Sequence, residues 1–292
     1  PEPQRAARLL VRAAQVAQRD LRDGRSALAD FSKALELWPD DADAAAGMTE
    51  LLLSAGQAAR AADRLSRAAG SAKSADRIAA LWMEVARLQA DLLDNVPAAI
   101  TSLKRVVKDA PNHVPTLRTM AKLHGRQDRW AEAADMLAKV VSLAPDRAVL
   151  RDAHLELASI WDERLDDPAR ALVSLQAVLS LEADHPEALR RLAALSARTG
   201  DLDKASHMLR RLVEVAPTPE IRTEAWVMYS DIQSDRGDAE AAKNAALQAI
   251  AVAGPGSVGV ERHLTLIEGN ADWLAQADAI RAWLEHQADP LA

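Results

Sequence analysis

A recurring order of small, apolar and aliphatic residues restricts this chain to stacked pairs of helices. Ala27, Phe31 and Ala34 are followed by Pro39, and the order returns as Ala99, Leu103, Val106 and Pro111. It recurs as Ala133, Leu137, Val140 and Pro145, and as Ala205, Leu209, Leu212 and Pro217. Looser copies begin at Ala61, Ala171 and Ala242, and a last one at Gln276 keeps Ile280 and Trp283. The first residues of the eight copies, here called anchors, are spaced 34, 38, 34, 38, 34, 37 and 34 apart. Alternate copies match best, which makes the period a double unit of about 72 residues. Residues four and then three apart lie on one helical face. A small residue there lets a second helix approach, the aliphatic one fills the space beside it, and a proline further on stops the helix.

Helix punctuation keeps the same period. Asp40, Asn112 and Asp184, then Ser74, Asp146 and Thr218, then Asp23, Asn95 and Asp167 form three series of N-cap candidates. Pro168 and Pro219 stand at first-turn positions, and Gly56, Gly200 and Gly237 precede an anchor by five residues, where a first helix should end. Sixteen helices follow. The first of each pair is expected over 4–20, 41–55, 74–92, 113–125, 147–165, 186–198, 219–235 and 257–268. The second is expected over 24–37, 58–69, 97–109, 130–143, 168–181, 202–215, 239–252 and 271–287. Composition agrees, being rich in Ala, Leu and Arg with a single Tyr and a single Phe.

The order of small, aromatic and proline positions resembles the tetratricopeptide repeat, a helix-turn-helix unit of 34 residues. Trp82 and Trp226 fall near that family's first aromatic position and Trp161 near its second, while Gly200-Asp201-Leu202-Asp203-Lys204-Ala205 resembles its inter-helix turn. The resemblance implies an all-α, right-handed α-solenoid of about eight repeats and a single superhelical domain over 1–292. Its units run roughly 4–39, 40–73, 74–111, 112–145, 146–184, 185–217, 218–255 and 256–290. The longer odd-numbered units suggest longer first helices.

Other features read as structure. Gly254-Pro255-Gly256-Ser257-Val258-Gly259 has the letters of a dinucleotide-binding loop but no βαβ context, so it is read as a turn. The seven histidines include no pair four apart; His113 and His185 sit 72 apart, as a repeat position would. Asp40-Asp41 and Asp166-Asp167 lie at helix starts, where carboxylates cap. No catalytic residue, metal ligand or cofactor is therefore assigned, and the chain is read as no enzyme. The net charge of −7 argues against nucleic acid, and no run of about 18 apolar residues suggests membrane insertion. Trp82, Trp130, Trp161, Trp226 and Trp273 are assigned to packing. Trp38 and Trp283 stand where other copies have smaller residues, and each either covers an array end or anchors a partner.

The family resemblance implies a protein or peptide partner on a concave surface lined by first helices. Arg118, Lys122 and Arg126 form a basic stripe on one such helix, with Arg190 and Arg198 on another. Acids on adjacent helices leave open the alternative that these charges pair with one another. The family's carboxylate clamp for chaperone tails is not expected, because no asparagine falls on a first helix. The expected function is a scaffold in a larger bacterial assembly of motility or polarity type. A periplasmic scaffold for polysaccharide export or outer-membrane assembly, and a solenoid that self-associates through its ends, are the alternatives. Arg outnumbers Lys 28 to 8, which suggests a GC-rich genome; with no cysteine, a reducing, cytoplasmic location is expected. The opening Pro1-Glu2-Pro3 reads as the start of an excised piece of a longer protein.

Overall fold

The computed structural model describes residues 2–143 and 146–253, and every described element is helical. Contacts group the chain into two compact units, Pro1–Ala144 and Pro145–Ala292, meeting where the fourth repeat was expected to end. The first unit holds α1 (Glu2–Arg19), α2 (Gly24–Leu37), α3 (Ala42–Ser54), α4 (Ala58–Ser71), α5 (Ala75–Arg87), α6 (Val96–Asp109), α7 (Val114–Gly125) and α8 (Trp130–Leu143). The second holds α9 (Arg147–Ser159), α10 (Pro168–Leu181), α11 (Pro186–Arg198), α12 (Leu202–Val215), α13 (Pro219–Asp235) and α14 (Ala239–Ala253). Two first helices continue through a π-helical turn, α5 over Leu88–Leu92 and α9 over Ile160–Arg164. The helices expected over 257–268 and 271–287, the Gly254–Gly259 turn, Trp273 and Trp283 lie outside the described residues.

Within each unit every helix packs on its neighbours in chain order, the contact pattern of a repeat array. The periodic residues form the interior. Phe31, Leu65, Leu103, Leu137, Leu175 and Leu209 are all fully buried beside their alanine anchors. Sealing each such side chain from water contributes about 1.5–3 kcal/mol. Gly47 on α3 lies over the Phe31 ring, so that even a methyl group there would overlap it. This is why a weak helix former occupies a helix interior.

The turn inside each hairpin has one constant feature. The residue five before the anchor has positive φ in every described repeat: Arg22, Gly56, Asp94, Asp128, Asp166, Gly200 and Gly237. The chain therefore reverses through a single left-handed residue each time, filled by glycine or mostly by aspartate, which tolerates that region better than most.

Two bonding schemes lead into this residue. In the short repeats the amide after it bonds the carbonyl five residues back, as Gln57 N to Leu52 O (2.8 Å), Arg129 N to His124 O (3.0 Å) and Asp201 N to Ser196 O (2.8 Å). In the long repeats the turn is wider. Leu93 N donates to Leu88 O and Asn95 N to Gln89 O (3.1 and 2.7 Å), and Leu165 N to Ile160 O and Asp167 N to Trp161 O match them (3.0 and 2.7 Å). The extra residues of the long repeats thus lengthen the first helix and end it in a π turn. The end of α1 has the wide pattern too, whereas α13 closes like a short repeat, Asp238 N bonding Gln233 O at 2.9 Å.

Most expected caps hold. Asp23, Asn95, Asp167, Ser74, Asp146 and Thr218 each accept a backbone amide of the helix that follows. The series Asp40, Asn112 and Asp184 does not: the caps are the next residues, Asp41, His113 and His185. His185 Nδ1 accepts from Ala188 N, and His113 Nδ1 instead meets Thr116 Oγ1 at 2.7 Å. Asp40 instead spans its own repeat and accepts from Lys73 N at 3.1 Å, where that repeat ends.

Candidate interaction surface

In the first unit the clearest apolar groove runs between first helices α3 and α5. Ala42, Ala45, Ala46 and Ala80 line it, Leu53 adds to its floor, and Glu50, Arg77 and Glu84 stand at its edges around about 440 Å³. The shallow floor follows from the sequence, since four alanines leave room that larger residues would fill. Arg77 donates to Asp41 O at 2.8 Å and so ties α5 to the start of α3. Burial opposes its charge and lowers its pKa, while Asp41 and Asp40 act the other way. Glu84 is held by Arg87 at 2.6 Å.

A more polar hollow of about 490 Å³ adjoins this groove at Ala42, lined by Arg8, Arg12, Gln15, Trp38, Asp40 and Asp43 among others. Trp38 is half-buried. It packs on the core of the first unit, and the Arg8 guanidinium lies 5.6 Å from its ring centre. The ring therefore seals core on one side and lines a surface hollow on the other.

The basic residues divide by register. Ala46, Arg118 and Arg190 are 72 apart, as are Glu50 and Lys122, so Arg118, Lys122 and Arg190 occupy the register of groove-lining residues. Arg118 is half-buried and Lys122 exposed on α7. Arg190 is engaged by Glu187 (3.0 Å) and Glu224 (3.7 Å). Burial opposes ionisation of Glu187, but its hydrogen bonds from Arg190 and Arg191 outweigh that and lower its pKa.

Arg126 and Arg198 do something else. Arg126 donates to Asp91 Oδ1 and to Ala90 O, both at 2.7 Å, across to the π turn of the preceding repeat. Arg198 does the same with Asp162 in the second unit. Each guanidinium ties the end of a short repeat's first helix to the wide turn of the long repeat before it. These two residues are inter-repeat ties; the pairing alternative describes them and Arg190. What the sequence reading missed here was the 72-residue recurrence of Arg126 and Arg198, which was visible in the numbering.

The other described tryptophans, Trp82, Trp130, Trp161 and Trp226, are built into the packing. Arg105 lies 4.7 Å from the ring centre of Trp82 and Arg170 lies 4.5 Å from that of Trp161, while Trp226 meets Tyr229 edge-on at 5.9 Å. Trp130 covers Gly125, where a Cβ would come to 2.9 Å from the ring. Among the described residues no group of three or more His, Asp or Glu side chains is placed to hold a metal ion, and no helix is long and apolar enough to cross a membrane.

Paired helices with neighbour-only packing define a class, the α-helical repeat arrays. Residues 164–224 match the family model described as tetratricopeptide repeat, and the described helices have the fold of a tetratricopeptide-repeat array, as the second of two superpositions shows over most of the chain. A solved structure of MamA protein is 21% identical, covers 60% of this chain and 91% of its own, and superposes with a TM-score of 0.51. The C-terminal part of a repeat-containing protein from Cytophaga hutchinsonii is 15% identical over 88% of this chain and 98% of its own, with a TM-score of 0.61. No curated protein sequence matches the chain.

Proposed function

We propose that this chain is a protein-interaction scaffold that receives an extended partner segment along its first helices. In the first unit the segment crosses the groove between α3 and α5 and meets Arg118 and Lys122 on α7. The observation that carries this reading is the alanine-lined groove itself, about 440 Å³ of space over an apolar floor with Glu50, Arg77 and Glu84 at its edges. Such a site fits alternate apolar side chains of an extended peptide and grips its flanking charges. The assembly served is of bacterial motility or polarity type and cytoplasmic; the Arg-rich, Lys-poor, cysteine-free composition supports the bacterial and reducing parts of that reading.

Selection from a displayed peptide library against the purified chain tests the surface. Ala46→Trp, which fills the groove from an exposed position, should abolish binding of the selected peptides. The pair Arg118→Glu and Lys122→Glu should weaken acidic ones, with helicity unchanged in both variants. Peptides that bind the Ala46→Trp chain as well as the parent would place the site elsewhere.

A further inference from the structure

Second helices also leave space between them. α2 and α4 wall a hollow of about 380 Å³, with Leu52 of α3 between them. Arg25 and Lys33 line it from α2, and Arg60 and Arg64 from α4. Glu36 is the one acid in its lining, and Leu28, Ala29 and Leu52 supply an apolar floor. A smaller hollow of about 220 Å³ adjoins it at Ser32, Glu36 and Arg64 and extends to Arg67. Both lie within two successive repeats of the first unit, on helices that do not line the groove between α3 and α5.

The cations around this hollow are poorly compensated. Arg60 donates to the neutral Gln57 side chain at 2.7 Å. Arg64 comes only to 4.0 Å from Glu36, and both side chains are exposed. Lys33 is exposed and engages no described residue. The nearby acids are committed elsewhere: Asp63 pairs with Arg67 at 3.0 Å, and Asp23 accepts the first amides of α2. Four cations thus face one carboxylate across a hollow in a chain whose net charge is −7.

The repeat register shows that folding does not require them. The positions of Arg25, Lys33, Arg60 and Arg64 correspond to Ala59, Arg67, Ala98 and Ser102 between α4 and α6. They correspond to Pro97, Arg105, Glu132 and Met136 between α6 and α8. In the second unit they are Ala169, Ala177, Lys204 and Met208, then Asp203, Arg211, Ala241 and Ala245. Among the described residues, no other pair of successive second helices within a unit has more than one cation at these positions. Like charges held together repel and lower the stability of the free chain. An anion that enters the hollow removes that repulsion.

We propose that the hollow between α2 and α4 is a second interaction site, which takes an acidic segment of a partner protein. Guanidinium forks match carboxylates in geometry and charge, and the contact of Arg64 with Glu36 is a loose instance of that pairing. The apolar floor adds room for an aliphatic side chain between the carboxylates, which a bare anion does not offer. Two helical walls enclose a single chain segment better than they meet a flat bilayer. The site and the groove between first helices are separate, and neither reading depends on the other.

The test uses the full chain carrying Ala46→Trp, so that the groove between α3 and α5 is filled. Peptides are selected from a displayed library in which Asp or Glu alternates with random residues, and their affinities are read by fluorescence anisotropy. Arg60→Glu with Arg64→Glu should weaken them at least about tenfold, because two attractive pairs become repulsive. The unfolding midpoint of that variant should be unchanged or higher, since the repulsion across the hollow is relieved. Arg118→Glu with Lys122→Glu should leave the same affinities unchanged, and added salt should lower them. A library that yields no binder, or peptides that bind the Arg60 and Arg64 reversal as well as its parent, overturns the proposal. Sedimentation with phosphatidylserine vesicles that is lost in the same reversal, with no peptide retained, would assign the hollow to a lipid surface instead.

Discussion

The long repeats, built on α5 and α9, and the short ones, built on α7 and α11, reach the same turn by different routes. The long ones run 18 residues through a π turn to an aspartate with positive φ, Asp94 or Asp166. The short ones run 12 or 13 residues of α-helix to Asp128 or Gly200. From that residue onward the two kinds are alike, with the anchor five residues later. A repeat can therefore change length at the end of its first helix without altering how its second helix is launched. The ties made by Arg126 and Arg198 join the two kinds, short end to wide turn, and make the 72-residue double unit a physical object as well as a sequence period.

The largest test of this contrast is at the start of the wide turn. Leu88→Ala should cost about 2–5 kcal/mol, as buried leucine truncations do, measured by denaturant unfolding. A loss below about 1 kcal/mol would mean that the π turn is not packed, leaving helix length as the only difference between the repeats. Next comes the left-handed residue. Gly200→Ala has no steric neighbour within 4 Å, so its cost is backbone conformation alone, about 1–2 kcal/mol. Asp166→Gly should change stability by less than about 1 kcal/mol, because relief at positive φ is offset by the greater chain entropy of glycine. Equal effects at the two sites would break the equivalence of the turns.

The ties are weaker. A double-mutant cycle on Arg126 and Asp91 should give a coupling of about 0.2–1 kcal/mol that falls as salt is added, since both side chains are largely exposed. The finest distinction lies between two short repeats and appears only in acid. Positions 52, 124 and 196 are equivalent and hold Leu52, His124 and Ser196. Burial lowers the pKa of His124; Glu132 opposes the shift, and Arg129 and Lys104 reinforce it. A histidine with its folded pKa depressed contributes stability above its unfolded value, near 6.5, and that stability is lost as pH falls through the folded value. His124→Leu should therefore flatten the decline in stability of the chain between neutral and acid pH. An unchanged pH profile would show that His124 does not titrate against folding.

Much of this architecture could be read from residue spacing. With the π turns of α5 and α9 counted, all fourteen described helices fall within two residues of their expected bounds, because the apolar period is supported at most ends by a cap, a glycine or a proline. The 38-residue spacing announced extra residues, and their place on the first helix was legible. That they close a π turn was not, since spacing does not record which carbonyl an amide selects. The glycines marked three of the seven left-handed positions; Asp94, Asp128 and Asp166 sat at the same register and went unread because aspartate also caps helices. On the interaction surface the limits were tertiary. A row of basic residues four apart identifies one helical face, but the acid that engages Arg126 is 35 residues away in another repeat.

The constant left-handed residue has a consequence for how such a chain can be edited. Arg22, Asp94 and Asp166 are seam points: each ends a first helix and precedes an identical launch of the second, 72 residues from the next. A cassette cut from one seam to another carries complete joinery at both ends. Duplication or loss of a cassette therefore changes how many repeats there are without requiring a new turn to be invented.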